Sequence, residues 1–307
     1  MNKLARFQTA SFEEINNDEQ VIENNENEVV APEPKEEIEE IRDTSIAIST
    51  EAFAGVEGLK SAIEKVPELL GKVTGFISNK FTNNKELVEG FYKPDTIRRL
   101  GGDSNYLAFS KREVFKSVGQ KVKTIELVDV LKTGFETVVL PFVKIELVSA
   151  ERVIAGIAAN PQELRGVRYG DLISKTLESS YKKTVKDLSD CFDGKDTSSK
   201  EEFGKLYDRM ADFDLSCKTI SALNEDVYKI NINDVIGLSD RLNASFTAIV
   251  RSLENPEVRD TVSPAVVKML SEACYQFAAQ LEFYSVYLYK LRECTTAIKD
   301  TVAALKE

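Results

Sequence analysis

From Phe53 to Leu305, apolar residues recur along this chain at intervals of three and four. That is the period of an amphipathic helix, whereas a half-buried strand alternates every second residue. Phe53, Val56, Leu59, Ile63 and Val66 share one such face. Leu69, Val73, Phe76 and Ile77 resume it beyond Pro67, which lacks a backbone donor and is expected to break or kink the helix. Ser49 or Thr50 suits the cap of this helix. Glu51 suits its first turn, where unpaired N–H groups favour negative charge. A shorter helix is expected over 84–100, around Pro94, and then a loop at Gly101-Gly102-Asp103. Residues 104–126 read as short strands or irregular connectors.

Residues 126–159 form the most apolar stretch. Pro141 divides it, and Lys132, Glu136, Lys144, Glu146, Glu151 and Arg152 interrupt it, so a buried core helix is expected rather than a membrane hairpin. Further helices are expected from about 164 to 192, from Ser198 or Ser199 to about Asn224, and from Asn231 or Asn233 to Asn255-Pro256. Ser198 and Ser199, with Glu201 and Glu202 three residues on, have the form of a capping box. Ser263-Pro264 places a cap residue before proline at the first helical position.

The helix that follows carries the most regular pattern. Val267, Leu270, Cys274, Phe277, Leu281, Tyr284, Leu288, Leu291, Thr295, Ile298, Val302 and Leu305 alternate spacings of three and four. A helix over 264–306 spans about 65 Å at the usual rise per residue. Ala278, Phe283, Val286 and Tyr287 widen the seam beyond a two-stranded coil. Packing inside the chain's own bundle is therefore expected, with a homotypic coil as the alternative.

The segment before Phe53 differs in kind. Residues 11–45 combine Asn, Glu and Pro with few large apolar groups, and they read as disordered. Residues 1–51 hold 14 acidic and four basic side chains, a net of −10, whereas the remaining 256 hold 37 and 36, a net of −1. Almost all of the chain's formal charge of −11 thus lies before the helical pattern begins. The expected fold is mostly α: an elongated helical bundle (52–307) with a very long C-terminal helix, preceded by a disordered acidic leader (1–51).

Candidate chemistry is sparse. The chain contains no His, the usual neutral-pH base and zinc ligand. Its four Cys (Cys191, Cys217, Cys274, Cys294) form no CxxC pair and read as reduced, structural thiols. Phosphate-binding glycine motifs and a GxSxG elbow are absent from the sequence. Asp193–Glu202 resembles a calcium loop only loosely. Tyr275, Tyr284, Tyr287 and Tyr289 fall at helical spacing and read as core rather than as a base-stacking platform. Arg98-Arg99, Lys111-Arg112 and Lys182-Lys183 are scattered rather than banded, which argues against direct nucleic-acid binding. No cofactor, metal or catalytic residue is expected, and the protein reads as a non-enzyme.

Ser49-Thr50-Glu51, followed by Ala52, has the small-X-Glu form of the cleavage signal used by prohead proteases of large tailed bacteriophages. The same form occurs at Ser11-Phe12-Glu13, Ala62-Ile63-Glu64, Ser149-Ala150-Glu151 and Ser252-Leu253-Glu254. Only Glu51 falls where composition and charge both switch. The first 75 residues or so thus resemble an internal head protein, or virion structural protein, of such a phage. The resemblance implies an acidic propeptide removed after Glu51, with Ser49, Thr50, Glu51 and Ala52 as the processing site. It implies a prohead protease and other head proteins as partners, with indirect contact with packaged DNA and no membrane. Its implied location is the capsid interior, after assembly in the host cytoplasm. A non-virion scaffold or adaptor, and a pore-forming or membrane-acting helical effector, are the rival classes.

Overall fold

A computed structural model describes residues 34–81, 100, 102–160, 164, 175–192 and 198–306. Residues 84–99 of the helix expected over 84–100, most of the expected leader and the Glu13 junction lie outside the described residues.

The protein is mostly helical. Its axis is α11 (Pro264–Lys306), 43 residues long. Between Ala273 and Leu291 this helix is buried on nearly every side, with only Gln276, Glu282 and Tyr289 half-buried. All of the expected seam is buried except Val267, which is half-buried. The intramolecular packing predicted from the width of the seam is found: α11 lies against helices from both ends of the sequence. Ser263 Oγ accepts from the Ala265 amide at 3.3 Å, so the Ser-Pro start acts as the sequence predicts.

Around the N-terminal half of α11 lie α1 (Pro34–Glu51), α2 (Gly55–Phe76) and α9 (Ile236–Glu254). Phe246 of α9 meets Phe277 of α11 edge-on, 6.2 Å between centroids. Around the C-terminal half lie α4 (Thr124–Gly134) and α8 (Met210–Ile230). Tyr287 donates to the Leu131 carbonyl at 2.8 Å, and Asn224 Nδ2 donates to Thr295 Oγ1 at 2.9 Å. The helix α6 (Lys175–Asp190) closes over α4, and Tyr181 packs edge-on against Phe283 at 5.2 Å.

The apolar stretch 126–159 lies within one continuous helical rod, Thr124–Ala159. After α4 it widens into π turns at Phe135–Val139 and Phe142–Glu146, then returns to α geometry as α5 (Leu147–Ala159). Pro141 therefore does not divide it. A proline cannot donate to the carbonyl four residues earlier and its ring crowds that group; wider turns on either side relieve both problems. Lys132, Glu136 and Lys144 are exposed, and Leu131, Phe135, Val138 and Val139 are buried, as expected for a core helix with one wet face. Pro67 likewise sits inside an unbroken α2.

Three local expectations are corrected. Ser198–Glu202 is no capping box. Lys200–Glu202 forms β2, antiparallel to β1 (Glu113–Phe115), with Val114 opposite Glu201. The one-turn helices α3 (Tyr106–Phe109) and α7 (Phe203–Leu206) flank this sheet, and α8 starts only at Met210. Thr301 of α11 donates to the Phe115 carbonyl at 3.0 Å and ties the sheet to the bundle. Second, Asn231 starts no helix. It opens a π segment, Asn231–Val235, inside a rod running from α8 into α9, and its side-chain oxygen is buried where it accepts from Tyr284. A one-turn helix, α10 (Pro256–Arg259), then leads to α11.

Third, the disordered reading of residues up to 45, and of the leader up to 51, does not hold for residues 34–51. They form α1, whose Ile38, Ile41 and Ile48 enter the same core as α2 and α11. Its exposed Lys35, Glu36, Glu39, Glu40 and Asp43 account for the polar composition. The apolar stripe is narrow, and it is stable because other helices cover it.

Candidate functional site: the junction at Glu51 and Ala52

The candidate processing residues Ser49, Thr50, Glu51 and Ala52 sit together at the end of α1 and the turn into α2. They end one helix and do not begin the next. Ser49 is half-buried, and Thr50 is exposed with its hydroxyl donating to the Ile46 carbonyl at 2.8 Å. The turn's own stop signal is Gly55. Its φ of +82° is costly for residues with a Cβ and free for glycine.

The bond between Glu51 and Ala52 is held from both sides. The Ala52 amide donates to Ile48 O at 2.9 Å, and Glu51 O accepts from the Ala54 amide at 2.9 Å. Ala52 itself is fully buried, and its carbonyl accepts from Ser271 Oγ of α11. The next three residues, Phe53, Ala54 and Gly55, are exposed. A protease needs an extended, accessible stretch of chain, whereas in the folded chain a helix end and a turn hold this bond.

The Glu51 side chain is anchored by α2. Its carboxylate accepts from Ser61 Oγ at 2.7 Å and pairs with Lys65. Lys65 first, and then Ser61, hold this carboxyl below its ordinary range. Gly58 lies one turn into α2. A Cβ there would stand 2.5 Å from Glu51 O and 2.5 Å from the Ala54 Cβ, so only glycine lets α2 approach α1 this closely. Sequence reasoning passed over Ser61, Lys65, Gly58 and Ser271. The two glycines three residues apart were the local signal for a tight helix–turn–helix corner.

Beside the junction lies a shallow groove of about 390 Å³, lined by Phe53, Gly55, Val56, Val262, Pro264, Val267, Lys268 and Ser271. Its walls are mostly apolar. Phe53, at 55% exposure, rests against Tyr275 with 6.1 Å between ring centroids.

A second polar contact lies further along the α1–α11 face. Arg42 and Glu282 approach to 3.6 Å, with both side chains largely buried. Burial pushes the Glu282 carboxyl above its ordinary value, while the Ser45 hydroxyl and Arg42 pull it back.

The other residues singled out in the sequence are structural. Tyr284 and Tyr287 are fully buried, Tyr275 is buried against Phe53, and Tyr289 is half-buried against the core. All four cysteines are free and buried. Burial raises the thiols, to about 11 for Cys191 and about 12 for Cys274 and Cys294. Among the described residues, no group of three His, Cys, Asp or Glu side chains is placed to hold a metal ion. Among them, no helix is long and apolar enough to cross a membrane.

Comparison with protein-family models, curated proteins and solved structures finds no match for this chain.

Proposed function

We propose that this chain is a structural protein packaged inside the head of a tailed bacteriophage. In this reading it is made with an acidic N-terminal segment that a prohead protease removes after Glu51. The observation that carries the reading is a coincidence of two boundaries at one bond. The net charge is −10 through Glu51 and −1 after it. At the same bond α1 ends and the chain turns into α2.

Cleavage needs the last turn of α1 to open, because both sides of the bond are hydrogen bonded. The exposed Phe53-Ala54-Gly55 turn gives a protease its handhold. The protein is assembled in the host cytoplasm with other head proteins and ends inside the capsid. The acidic segment repels DNA during assembly, and the nearly neutral body tolerates packaged DNA afterwards.

A second reading, a helical scaffold or adaptor that keeps its N-terminus, is favoured by the burial of Ala52 and the core position of Ile41 and Ile48. Mass spectrometry of the protein from purified particles separates the two. A mature form beginning at Ala52 supports processing. An intact N-terminus with no peptide beginning at Ala52 overturns it.

A further inference from the structure

We infer that the cleft between α2 and α11 that α1 fills is a helix-binding site which holds α1 by contacts independent of the Glu51–Ala52 bond, so that a cut after Glu51 leaves the 1–51 fragment bound to the body. The biological occasion for this rests on the processing proposed above, whereas the cleft and its occupant are properties of the fold.

The contacts are spread along the helix rather than concentrated at its covalent end. Ile38, Ile41 and Ile48 are buried in the shared core, and Thr44 and Ser45 are buried beside them. Polar anchors lie between them. Arg42 pairs with Glu282, Lys72 donates to Thr44 Oγ1 at 2.9 Å, and Ser61 and Lys65 hold the Glu51 carboxylate. Each of these joins a residue before the bond to a residue after it. None depends on the bond itself.

Hydrolysis adds a water across Glu51–Ala52, giving Glu51 a terminal carboxylate and Ala52 an ammonium group. The new carboxylate forms where Glu51 O already sits, against Gly58 near the start of α2. Unpaired N–H groups there favour an anion, and Lys65 is close by. The partner that this cleft fits is an amphipathic helix with a narrow aliphatic stripe and an acidic outer face.

Residues 34–51 carry six acidic and two basic side chains, and residues 1–33 carry eight and two. Cutting alone removes none of that charge from the particle. The net charge falls only when α1 leaves the cleft, which makes release a step separate from cleavage.

The test is a full-length protein with a sequence-specific protease site inserted in the exposed turn between Ala54 and Gly55. After complete cutting, the fragment is expected to co-elute with the body on native size exclusion, and to separate only in denaturant. Elution of the fragment apart from the body, or precipitation of the body on cutting, overturns the inference. The doubly substituted Ile41→Asp, Ile48→Asp protein is expected to release its fragment on cutting; continued co-elution would place the attachment elsewhere and overturn the cleft. If that variant does not fold, Arg42→Ala is expected to speed fragment dissociation about tenfold, and an unchanged rate counts against the cleft. A particle with an uncut N-terminus would sink the processing reading while leaving these outcomes untouched.

Discussion

Arg42 and Glu282 meet at 3.6 Å across the α1–α11 contact, and their side chains are 20% and 13% exposed. One comes from the acidic segment before the junction and the other from the middle of the central helix. The pair binds the two ends of the sequence into one core. Removing one partner leaves the other short of solvent and of counter-charge. Arg42→Ala is expected to lower unfolding free energy by about 1–3 kcal/mol, at the lower end of what breaking a buried pair costs, because some solvent reaches it. Replacing both, Arg42→Met with Glu282→Leu, is expected to recover most of the loss. Urea denaturation of the two single variants and the double variant closes the cycle.

The two anchored carboxyls give opposite pH signatures. Glu282 is raised from 4.5 by burial, so the native state binds its proton more tightly than the unfolded chain does. Its contribution to stability is full below 4.5 and is lost as pH rises through the raised folded value. Glu51 is lowered from 4.5 by Lys65 and Ser61. Its contribution is present above 4.5 and is lost as pH falls through the lowered folded value. Glu282→Gln should therefore flatten the stability curve above 4.5, and Glu51→Gln should flatten it below. Urea midpoints between about pH 3 and pH 7 check both signs.

Gln280 is 1% exposed, and among the described residues neither its side-chain nitrogen nor its oxygen has a hydrogen-bond partner. A buried amide without partners opposes folding, and an apolar side chain of similar length does not. Gln280→Met is expected to raise unfolding free energy by about 1–2 kcal/mol. A loss of stability in urea titration would mean that the amide is satisfied in solution.

Gly58→Ala places a methyl 2.5 Å from the Glu51 carbonyl, a backbone atom that cannot swing aside. The α1–α2 corner must open. Stability is expected to fall by about 1–3 kcal/mol, as in other overpacked sites. A glutamate-specific protease should then cut after Glu51 sooner than in the parent protein. Timed digestion followed by mass spectrometry reads that bond directly.

The four buried thiols should be inert in the folded protein, since each is buried and its pKa is raised. Iodoacetamide at pH 8 is expected to label essentially none, and all four once the chain is unfolded. Native labelling at Cys274 or Cys294 would contradict the central position of α11.

The long helix was legible because its signal is local and dense. An apolar group every third or fourth residue from Leu270 to Leu305 forces a helix and states which side is covered. Ser263-Pro264 was equally legible, since a cap acts within its own turn. Residues 34–51 were not. Their stripe of Ile38, Ile41 and Ile48 is too thin to predict burial without knowing that α2 and α11 lie over it. Glu51 was read with the wrong helix because an acidic residue suits a first turn, but here its partners come from across the corner. Lys200–Glu202 had a helix-start pattern, and pairing with Glu113–Phe115 overrode it. At the candidate site, the sequence shows only where charge and composition switch. The burial of the Glu51–Ala52 bond, its hydrogen bonds and the grip of Ser61, Lys65 and Ser271 arise from contacts between distant segments.

The Ser271–Ala52 hydrogen bond joins residues 219 positions apart. A ribosome completes α1 and α2 long before it begins the helix that buries them. Until α11 is made, α1 and α2 lack the helix on which they finally pack, and the corner at Ala52 lacks its Ser271 contact. Synthesis therefore opens an interval in which the nascent chain needs shielding from aggregation. In that interval the Ala52 carbonyl lacks the Ser271 hydroxyl that it accepts from in the folded chain. The order of manufacture thereby sets a clock on this junction, running from the appearance of Glu51 to the docking of Ser271.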